Sequence, residues 1–289
     1  MLPDVSDLRV SDGGPPGFSE CGDPQGIPII FLHGAPGSRL EAGPDNVYAS
    51  ALASAGVRYI GVDRAGYGQS AARPARTIFE AANDVTQAAD QLGLATFGVI
   101  GWSMGGPYAL AVAARFPGRV SAVGTIASFA PIVDVGLEGC GERGFLELAA
   151  REPDELRSQL HKLARQMRSD PATTSLTLLG EMLSEDDVAF VLDPAVNPLM
   201  MRTMVESATA DYGGYTDDFV ALVQPWGFAL SDVMTRVELI HGRDDRIIPI
   251  GHSRHLAQSL PNARLEECDG GHISVLAQLI ELVERVKTA

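Results

Sequence analysis

Apolar and polar positions along the chain fall into two recurring patterns. Short apolar runs of the kind that form buried strands lie at 27–32, 57–62, 97–102, 120–127, 236–241 and 263–268. Helix-like stretches follow most of them, at 45–55, 78–92, 104–115, 251–260 and 273–286. Strands that alternate with helices predict an α/β fold, in which a mostly parallel sheet carries helices on both faces. Turn-rich segments at 12–17 and 22–26 also predict an early hairpin over residues 7–22.

The alternation stops between residues 131 and 224. Several helix-like stretches follow one another there, without strand-like runs between them. One of them begins with the acidic run 152–155 and carries basic residues towards its end, as the helix dipole favours. Another has Ser184 three residues before Asp187, the spacing of a capping box at a helix start. This middle segment is therefore predicted to be helical.

The most informative local motif is Gly101-Trp102-Ser103-Met104-Gly105-Gly106, because it stands between a strand-like and a helix-like run. In that setting a G-x-S-x-G pattern predicts a nucleophile elbow, which is a sharp strand–turn–helix bend. The turn strains the serine backbone, so the positions two residues to either side must be nearly bare of side chain. Ser103 then stands above a helix N-terminus, whose unpaired N–H groups favour a developing negative charge.

On this motif the chain resembles the α/β-hydrolase superfamily of enzymes. A second match is His33-Gly34-Ala35-Pro36-Gly37, which follows a strand-like run and is similar to the superfamily's H-G-x-P-G turn. The resemblance implies that the backbone N–H groups of Ala35 and Met104 form an oxyanion hole. Two donors are needed there because the tetrahedral intermediate of acyl transfer carries an alkoxide. His33 is interpreted as a residue that shapes the turn and not as a base.

The resemblance also implies an acid and a histidine for Ser103. The superfamily's acid follows a strand in a G-x-x-D pattern, which selects Asp245 by its spacing from Gly242, with the adjacent Asp244 as the alternative. His272 follows an Asp-Gly-Gly turn after the last strand-like run, and a loop histidine freed by glycines can reach a serine hydroxyl. The order of serine, acid and histidine along the chain matches the superfamily's order.

The other histidines are interpreted as non-catalytic. His252 and His255 have a spacing that could suit a metal ion, but no H-E-x-x-H or matching carboxylate pattern accompanies them. They are predicted to lie on a solvated helix face. The loop that begins at Asp63 and Arg64 is similar to a D-x-x-G-x-G-x-S loop of the superfamily, and its role is predicted to be structural. No metal ion and no organic cofactor is expected.

In α/β-hydrolases a helical cap is inserted after the sixth strand. The resemblance therefore implies that residues 131–224 form a cap between two parts of the core, 1–130 and 225–289. Methionine adapts to irregular shapes, so a Met-rich cap predicts an apolar pocket, although any one methionine fits equally well as a filler between helices. Trp226 and Phe228 are predicted to pack in the core, with a place at the edge of the pocket as the alternative. Five of the eight methionines lie in this segment, namely Met167, Met182, Met200, Met201 and Met204.

Composition restricts the partners and the compartment. The 289 residues carry 37 acidic and 22 basic side chains, for a formal net charge of −15. Such a field repels nucleic acid and anionic membranes, so the expected partner is a small-molecule substrate, and the oligomeric state is left open. The first residues lack the basic start and apolar run of a signal peptide, and three scattered cysteines imply no disulfide framework. Both observations favour the cytoplasm.

Together these residues predict acyl transfer to water through an acyl-enzyme on Ser103, with a small or medium apolar carboxylic ester as the substrate. A perhydrolase (a cofactor-free haloperoxidase), a C–C bond hydrolase and an aminopeptidase remain alternatives, because analogy of fold does not separate them. A non-catalytic ligand receptor with a hydrolase fold is the alternative from another class. The complete set of triad and oxyanion positions favours the enzyme.

Overall fold

A computed structural model of the protein describes residues 16–287. One seven-stranded sheet forms its centre, with the strand order β1-β3-β2-β4-β5-β6-β7. All neighbouring strands are parallel except β1 and β3. This sheet confirms the predicted α/β fold. The strands are β1 (Phe18–Gly22), β2 (Ile27–Leu32), β3 (Val57–Val62), β4 (Phe97–Trp102), β5 (Val120–Ile126), β6 (Val237–Gly242) and β7 (Ala263–Cys268).

Within the described residues, twelve α-helices accompany the sheet. Seven of them, α4 to α10, follow one another between β5 and β6, and we call these the inserted helices. The helices are α1 (Ala49–Ser54), α2 (Ile78–Gln91), α3 (Gly105–Arg115), α4 (Ile132–Val135), α5 (Arg143–Arg151), α6 (Pro153–Ser169), α7 (Pro171–Leu179), α8 (Glu185–Leu192), α9 (Asn197–Ala208), α10 (Gly213–Leu222), α11 (Gly251–Ser259) and α12 (Leu279–Lys287).

The sheet has a hydrophobic core on each face. In β2, Ile29 and Phe31 pack in one cluster with residues of α1 and α12, whereas Ile30 and Leu32 pack in the other with residues of α2 and α3. Successive side chains of a strand point to opposite faces, so the two clusters lie on opposite sides of the sheet. Helices on both faces are what a parallel sheet requires, because both of its faces are apolar.

The middle segment is helical, as its sequence pattern predicts. The capping box at the start of α8 is confirmed, since the Ser184 hydroxyl accepts the N–H of Asp187 (3.1 Å) and the Asp187 carboxylate accepts the N–H of Ser184 (3.2 Å). α6 has Asp154 and Glu155 in its first turn and Arg168 in its last turn, in agreement with the charge pattern expected from its dipole. The division of the chain into a cap and two core parts stays a prediction.

Two of the predicted helices begin more than one residue away from the observed α-helix. Helix α1 begins at Ala49 and not at residue 45, because the Asn46 side chain accepts the N–H of Tyr48 (2.7 Å) and forms a turn before it. The stretch 273–286 begins as a 3-10 helix, Ser274–Gln278, before α12. Of the predicted early hairpin, residues 7–15 lie outside the described part of the chain, and β1 pairs with β3.

His252 is buried, and the prediction of a solvated helix face is wrong for it. Its Nδ1 accepts the N–H of Ala130 (3.1 Å), and its ring packs edge-on against Phe129 with centroids 5.4 Å apart. Burial lowers the pKa of His252 to about 4, so the ring is neutral near pH 7. The prediction failed because α11 packs against the loop after β5, a contact that no local pattern shows. His255 is partly exposed.

Candidate active site

The turn between β4 and α3 holds Ser103 in a strained conformation. The φ angle of Ser103 is +55°, a region that residues other than glycine adopt uncommonly. A Cβ at Gly101 would lie 2.4 Å from the Gly105 carbonyl oxygen, and one at Gly105 would lie 2.0 Å from the Leu32 carbonyl oxygen. Glycine is therefore a steric requirement on both sides of Ser103. The chain forms the strand–turn–helix bend that the motif predicts.

This bend places Ser103 beside His272. Ser103 Oγ lies 2.9 Å from His272 Nε2, and His272 Nδ1 lies 2.8 Å from Asp245 Oδ2. Ser103 follows β4, Asp245 follows β6 and His272 follows β7, so all three stand at the carboxyl edge of the sheet. Their side chains are buried. The structure thus brings the three residues singled out in the sequence into one hydrogen-bonded chain.

Asp245 is held by several donors. Its Oδ1 accepts the backbone N–H groups of Ile247 and Ile248, each at 2.8 Å, and its Oδ2 lies 3.1 Å from His241 Nε2. Burial alone would raise the pKa of Asp245, but its contacts with His272 and His241 hold that pKa well below its usual range. Asp245 is therefore a carboxylate. Asp244, the alternative acid, makes no hydrogen bond to His272. Its backbone N–H donates to the Gly270 carbonyl (3.0 Å).

The carboxylate of Asp245 controls the proton affinity of His272. Burial lowers the pKa of His272, but the charge of Asp245 and the hydrogen bond to it outweigh burial, so the pKa lies above its ordinary value of 6.5. With Nδ1 donating to Asp245, the neutral ring presents Nε2 as an acceptor to Ser103 Oγ. The fraction of His272 that is neutral, and so can accept the serine proton, increases as the pH rises through this raised pKa.

Replacing Asp245 with asparagine should move the acidic limb of the pH–rate profile to lower pH. In wild type we expect kcat/KM to rise with pH around a midpoint above 6.5. Asp245→Asn removes the charge but leaves the burial, so the midpoint should fall, while kcat falls by up to about 10⁴-fold through loss of the correct tautomer. Profiles of kcat/KM against pH for both proteins test this. An unchanged midpoint would contradict the role of Asp245.

The two backbone donors that the resemblance implies, Ala35 and Met104, lie close to Ser103 in the structure. Ala35 lines the same small cavity as Ser103 and His272, and Met104 precedes the first residue of α3. In the described part of the chain, neither of these N–H groups donates to another protein group. The Ala35–Pro36 peptide bond is cis. Neither N–H is therefore occupied by an acceptor from the described residues, as an oxyanion hole requires, and the oxyanion role of Ala35 and Met104 stays a prediction.

His33 and Arg64 hold the turn that carries Ala35. His33 Nδ1 donates to the Gly34 carbonyl (2.6 Å), and His33 Nε2 accepts the backbone N–H of Arg64 (3.3 Å). The Arg64 guanidinium donates to the carbonyls of both His33 and Gly34. Burial and the charge of Arg64 keep the pKa of His33 well below its ordinary value, so this ring is neutral. Both residues shape the turn, as their sequence context predicts.

Arg64 in turn is bound by Asp218, a buried carboxylate of α10. Asp218 accepts hydrogen bonds from Arg64 Nη2 (2.6 Å) and Arg76 Nη2 (2.5 Å), and from the hydroxyls of Tyr67 (2.7 Å) and Tyr108 (2.6 Å). Burial would raise the pKa of Asp218, but the two arginine charges lower it below its ordinary value. This network ties the inserted helices to the turn after β2.

Two cavities with shared walls lie near Ser103, and Ser103 itself lines only the smaller one. The smaller one, of about 30 Å³, is lined by Ser103, His272 and Ala35. The larger one, of about 320 Å³, lies among α7, α8 and α9. The residues that line both are Leu179, Met200, Met204 and Ile273. The remaining walls of the larger cavity are mostly aliphatic and include Leu176, Leu183, Val188, Val191, Leu192 and Met201.

The methionines of the middle segment divide between pocket and packing. Met200, Met201 and Met204 line the larger cavity, whereas Met167 is fully buried in the core. An apolar pocket rich in methionine is therefore present, as the sequence predicts. Three of the five methionines of the segment line it. Trp226 is buried and packs against Phe228 with ring centroids 5.9 Å apart, in agreement with the predicted core role.

An acidic residue that the sequence does not single out faces the smaller cavity. Glu142 is buried and accepts a hydrogen bond from the Tyr215 hydroxyl. Burial raises the pKa of Glu142 to about 7, although the hydrogen bond from Tyr215 opposes this rise. Its place between Gly141 and Arg143 carries no motif that could have identified it. Among the described residues that line the two cavities, none is a lysine or arginine.

Residues 16–287 offer neither a metal centre nor a membrane-spanning helix. This part of the chain contains no group of three or more His, Cys, Asp or Glu side chains that could hold a metal ion. It also contains no helix with the length and apolar character needed to cross a membrane. The thiols of Cys21, Cys140 and Cys268 are free.

Comparison with known proteins agrees with the fold described above. The family model of the alpha/beta hydrolase fold matches residues 27–277. The chain is 29% identical over 255 residues to a 2-hydroxymuconate semialdehyde hydrolase of Pseudomonas putida, a match that covers 83% of this chain and 78% of the relative. It is 32% identical over 187 residues to a pimeloyl-[acyl-carrier protein] methyl ester esterase of Aromatoleum aromaticum, covering 62% of this chain and 68% of the relative.

A solved structure supports the fold independently. The enol-lactonase from Burkholderia xenovorans LB400 superposes with a TM-score of 0.67 at 21% identity, covering 95% of this chain and 96% of the enzyme. At that identity the likeness concerns the fold alone. The family model, in contrast, spans most of the chain, from β2 to the 3-10 helix after β7. The chain therefore belongs to the α/β-hydrolase fold family of enzymes.

Proposed function

We propose that the protein is a serine hydrolase that cleaves a small or medium apolar carboxylic ester through an acyl-enzyme on Ser103. The observation that carries this proposal is the hydrogen-bonded chain from Ser103 through His272 to Asp245, beside a small cavity that shares four wall residues with the larger apolar one. A ligand receptor needs the cavity but not an aligned serine, base and acid, so the chain of contacts favours the enzyme.

The reaction has two halves. His272 Nε2 takes the hydroxyl proton as Ser103 Oγ attacks the ester carbonyl carbon, and Asp245 stabilises the imidazolium. The N–H groups of Ala35 and Met104 bind the oxyanion until the C–O bond breaks and the alcohol leaves with the proton from His272. Water then gives a proton to His272 and attacks the acyl carbon. The acid is released, and the proton returns to Ser103.

The walls of the cavities favour a neutral, apolar substrate. Aliphatic and methionine side chains form most of the larger cavity. The described residues that line the cavities provide no basic side chain for an anionic substrate, and Glu142 adds an acidic group beside His272. A carboxylate next to Glu142 would be repelled whenever that group is ionised. We therefore place the apolar acyl chain of the substrate in the larger cavity.

Cleavage of a C–C bond is the second candidate. It is favoured by the 29% identity with the 2-hydroxymuconate semialdehyde hydrolase of Pseudomonas putida, which extends over 83% of this chain. The name of that relative denotes an organic acid as substrate, and the cavity here has no cation to bind one. Incubation with 2-hydroxymuconate semialdehyde separates the candidates: turnover faster than that of any ester would favour the C–C hydrolase.

The rate of ester hydrolysis should rise with the length of the acyl chain. Each methylene group that enters the apolar cavity contributes about 0.8 kcal/mol, or about fourfold in kcat/KM. The measurement is kcat/KM for p-nitrophenyl esters from acetate to octanoate. Met201→Trp, which narrows the larger cavity, should reduce the preference for long over short chains.

Val133→Trp is the matched control, because Val133 is 70% exposed and lines neither cavity. It should leave the chain-length preference as in wild type. A flat dependence on chain length in wild type, or the same response of both tryptophan variants, would contradict the assignment of the larger cavity to the acyl chain.

The compartment and partners are proposed on composition. The net charge of −15 disfavours nucleic acid and anionic membranes, so a small molecule is the proposed partner. The three free thiols are compatible with a reducing compartment, and the cytoplasm is the proposed location.

A further inference from the structure

Asp187 links the inserted helices to the loop that carries His272. It lies in the first turn of α8 and is fully buried. Its Oδ2 accepts the backbone N–H of His272 (3.1 Å), and its Oδ1 accepts those of Ile273 and Ser274 (2.8 Å each) and the Ser274 hydroxyl (2.9 Å). Three consecutive N–H groups of the His272 loop therefore share one carboxylate from a residue 85 positions earlier in the chain.

The capping box of α8 explains only part of this arrangement. A helix cap requires hydrogen bonds between Ser184 and Asp187, and both are present. It does not require the Asp187 carboxylate to bind a distant loop. Gly271 makes this approach possible, since a Cβ there would lie 2.1 Å from Asp187 Oδ2 and 2.4 Å from Ser184 Oγ. The backbone before His272 is thus shaped to fit the start of α8.

We propose that Asp187 is a positioning residue for the general base: by binding the backbone of residues 272–274, it makes the alignment of His272 with Ser103 depend on the docking of α8. The inference rests on the proposed function, because it adds a residue to the same reaction. It also goes beyond the triad and the oxyanion turn, since Asp187 lines neither cavity and lies within reach of no substrate atom in them.

The energetics of a buried carboxylate make this dependence strong. A carboxylate out of water is stable only when its lone pairs are all bonded, and Asp187 satisfies them with five donors. Withdrawal of α8 would leave three loop N–H groups and one charge without those partners. The loop is therefore fixed in the geometry that aligns His272. A misplacement of about 1 Å at a reacting group can lower the rate about 100-fold.

Asp187 also acts on His272 through its charge. The acidic groups that face His272 come from three places: Asp245 after β6, Asp187 in α8 and Glu142 before α5. Each raises the pKa of His272 against the effect of burial. Removal of the Asp187 charge should therefore move the acidic limb of the pH–rate profile to lower pH. A purely structural role of Asp187 would leave that midpoint in place.

The test compares Asp187→Asn and Gly271→Ala with Asp186→Asn. Asp186 is exposed in the same turn of α8 and is the matched control. The readouts are kcat, KM and the acidic midpoint for a p-nitrophenyl ester, together with thermal unfolding. The concentration of active sites is titrated with a fluorophosphonate, so that kcat is calculated from folded, reactive protein only. We expect both test variants to lose about 10- to 100-fold in kcat with little change in KM.

Only Asp187→Asn should also lower the acidic midpoint, because Gly271→Ala displaces the carboxylate without removing it. Wild-type values of kcat and midpoint for Asp187→Asn would overturn the proposal, and so would an equal loss in Asp186→Asn. A wild type that is neither labelled at Ser103 nor active on esters would instead contradict the proposed function. The two kinds of failure are therefore distinguishable.

Discussion

Replacing His272 with alanine should lower kcat for ester hydrolysis by about 10⁴- to 10⁶-fold and leave the protein folded. His272 Nε2 is the acceptor closest to Ser103 Oγ, at 2.9 Å, and both halves of the proposed reaction pass a proton through it. Without it the serine remains a neutral hydroxyl, which is a weak nucleophile. Steady-state kinetics, with circular dichroism to verify folding, measure this effect.

His255→Ala is the control for this prediction. His255 is partly exposed on α11 and contacts Asp134 (3.5 Å) and Ser259 (3.4 Å), away from the cavities. Its removal should leave kcat close to the wild-type value. If His272→Ala kept more than about a tenth of wild-type activity, a base other than His272 would have to be found, because general-base catalysis alone contributes at least about 100-fold.

Replacing Asp218 with asparagine should destabilise the fold by about 3–5 kcal/mol, because it removes the carboxylate that pairs with the buried guanidinium groups of both Arg64 and Arg76. That is a large part of the 5–15 kcal/mol typical of the stability of a domain. Asparagine has nearly the same shape as aspartate. The loss of unfolding free energy therefore arises from the missing charge and hydrogen bonds and not from a cavity. Urea unfolding followed by fluorescence gives the free energy directly.

Asp211→Asn is the matched change at an exposed ion pair. Asp211 and Arg168 are 2.7 Å apart, and both are substantially exposed, so the loss there should stay below about 1 kcal/mol. Equal losses of unfolding free energy in the two variants would show that the Asp218 network stabilises the fold no more than an exposed ion pair does. A large loss at Asp218 alone would confirm that this network anchors the turn after β2.

The sequence predicted those parts of the molecule that depend on local physics. Apolar runs defined most strands within one residue, because a strand buried on both faces has to be apolar throughout. The environment of Ser103 was predictable for a similar reason. Gly101 and Gly105 are set by contacts within a few residues, or with the adjacent β2, and such contacts leave a motif in the sequence.

Contacts between segments that are distant in the sequence could not be predicted from local patterns. The capping box of Ser184 and Asp187 was visible in the sequence, but the hydrogen bonds of Asp187 to a loop 85 residues later were not. In the sequence, Asp218 is one of two adjacent acidic residues in an ordinary helix. Only the fold shows the four buried residues that donate hydrogen bonds to it. His252 was misjudged for the same reason, since its burial depends on the loop after β5.

The central claim is that Ser103 is an activated nucleophile, and covalent labelling tests it most directly. Wild type and Ser103→Ala are treated with a fluorophosphonate, and the intact mass of each protein is measured. The account predicts a single adduct on wild type and none on the variant, because only a serine next to a neutral histidine base reacts readily with this reagent. Absence of an adduct on wild type, or equal labelling of both proteins, would contradict it and would favour a ligand-binding role for the cavity.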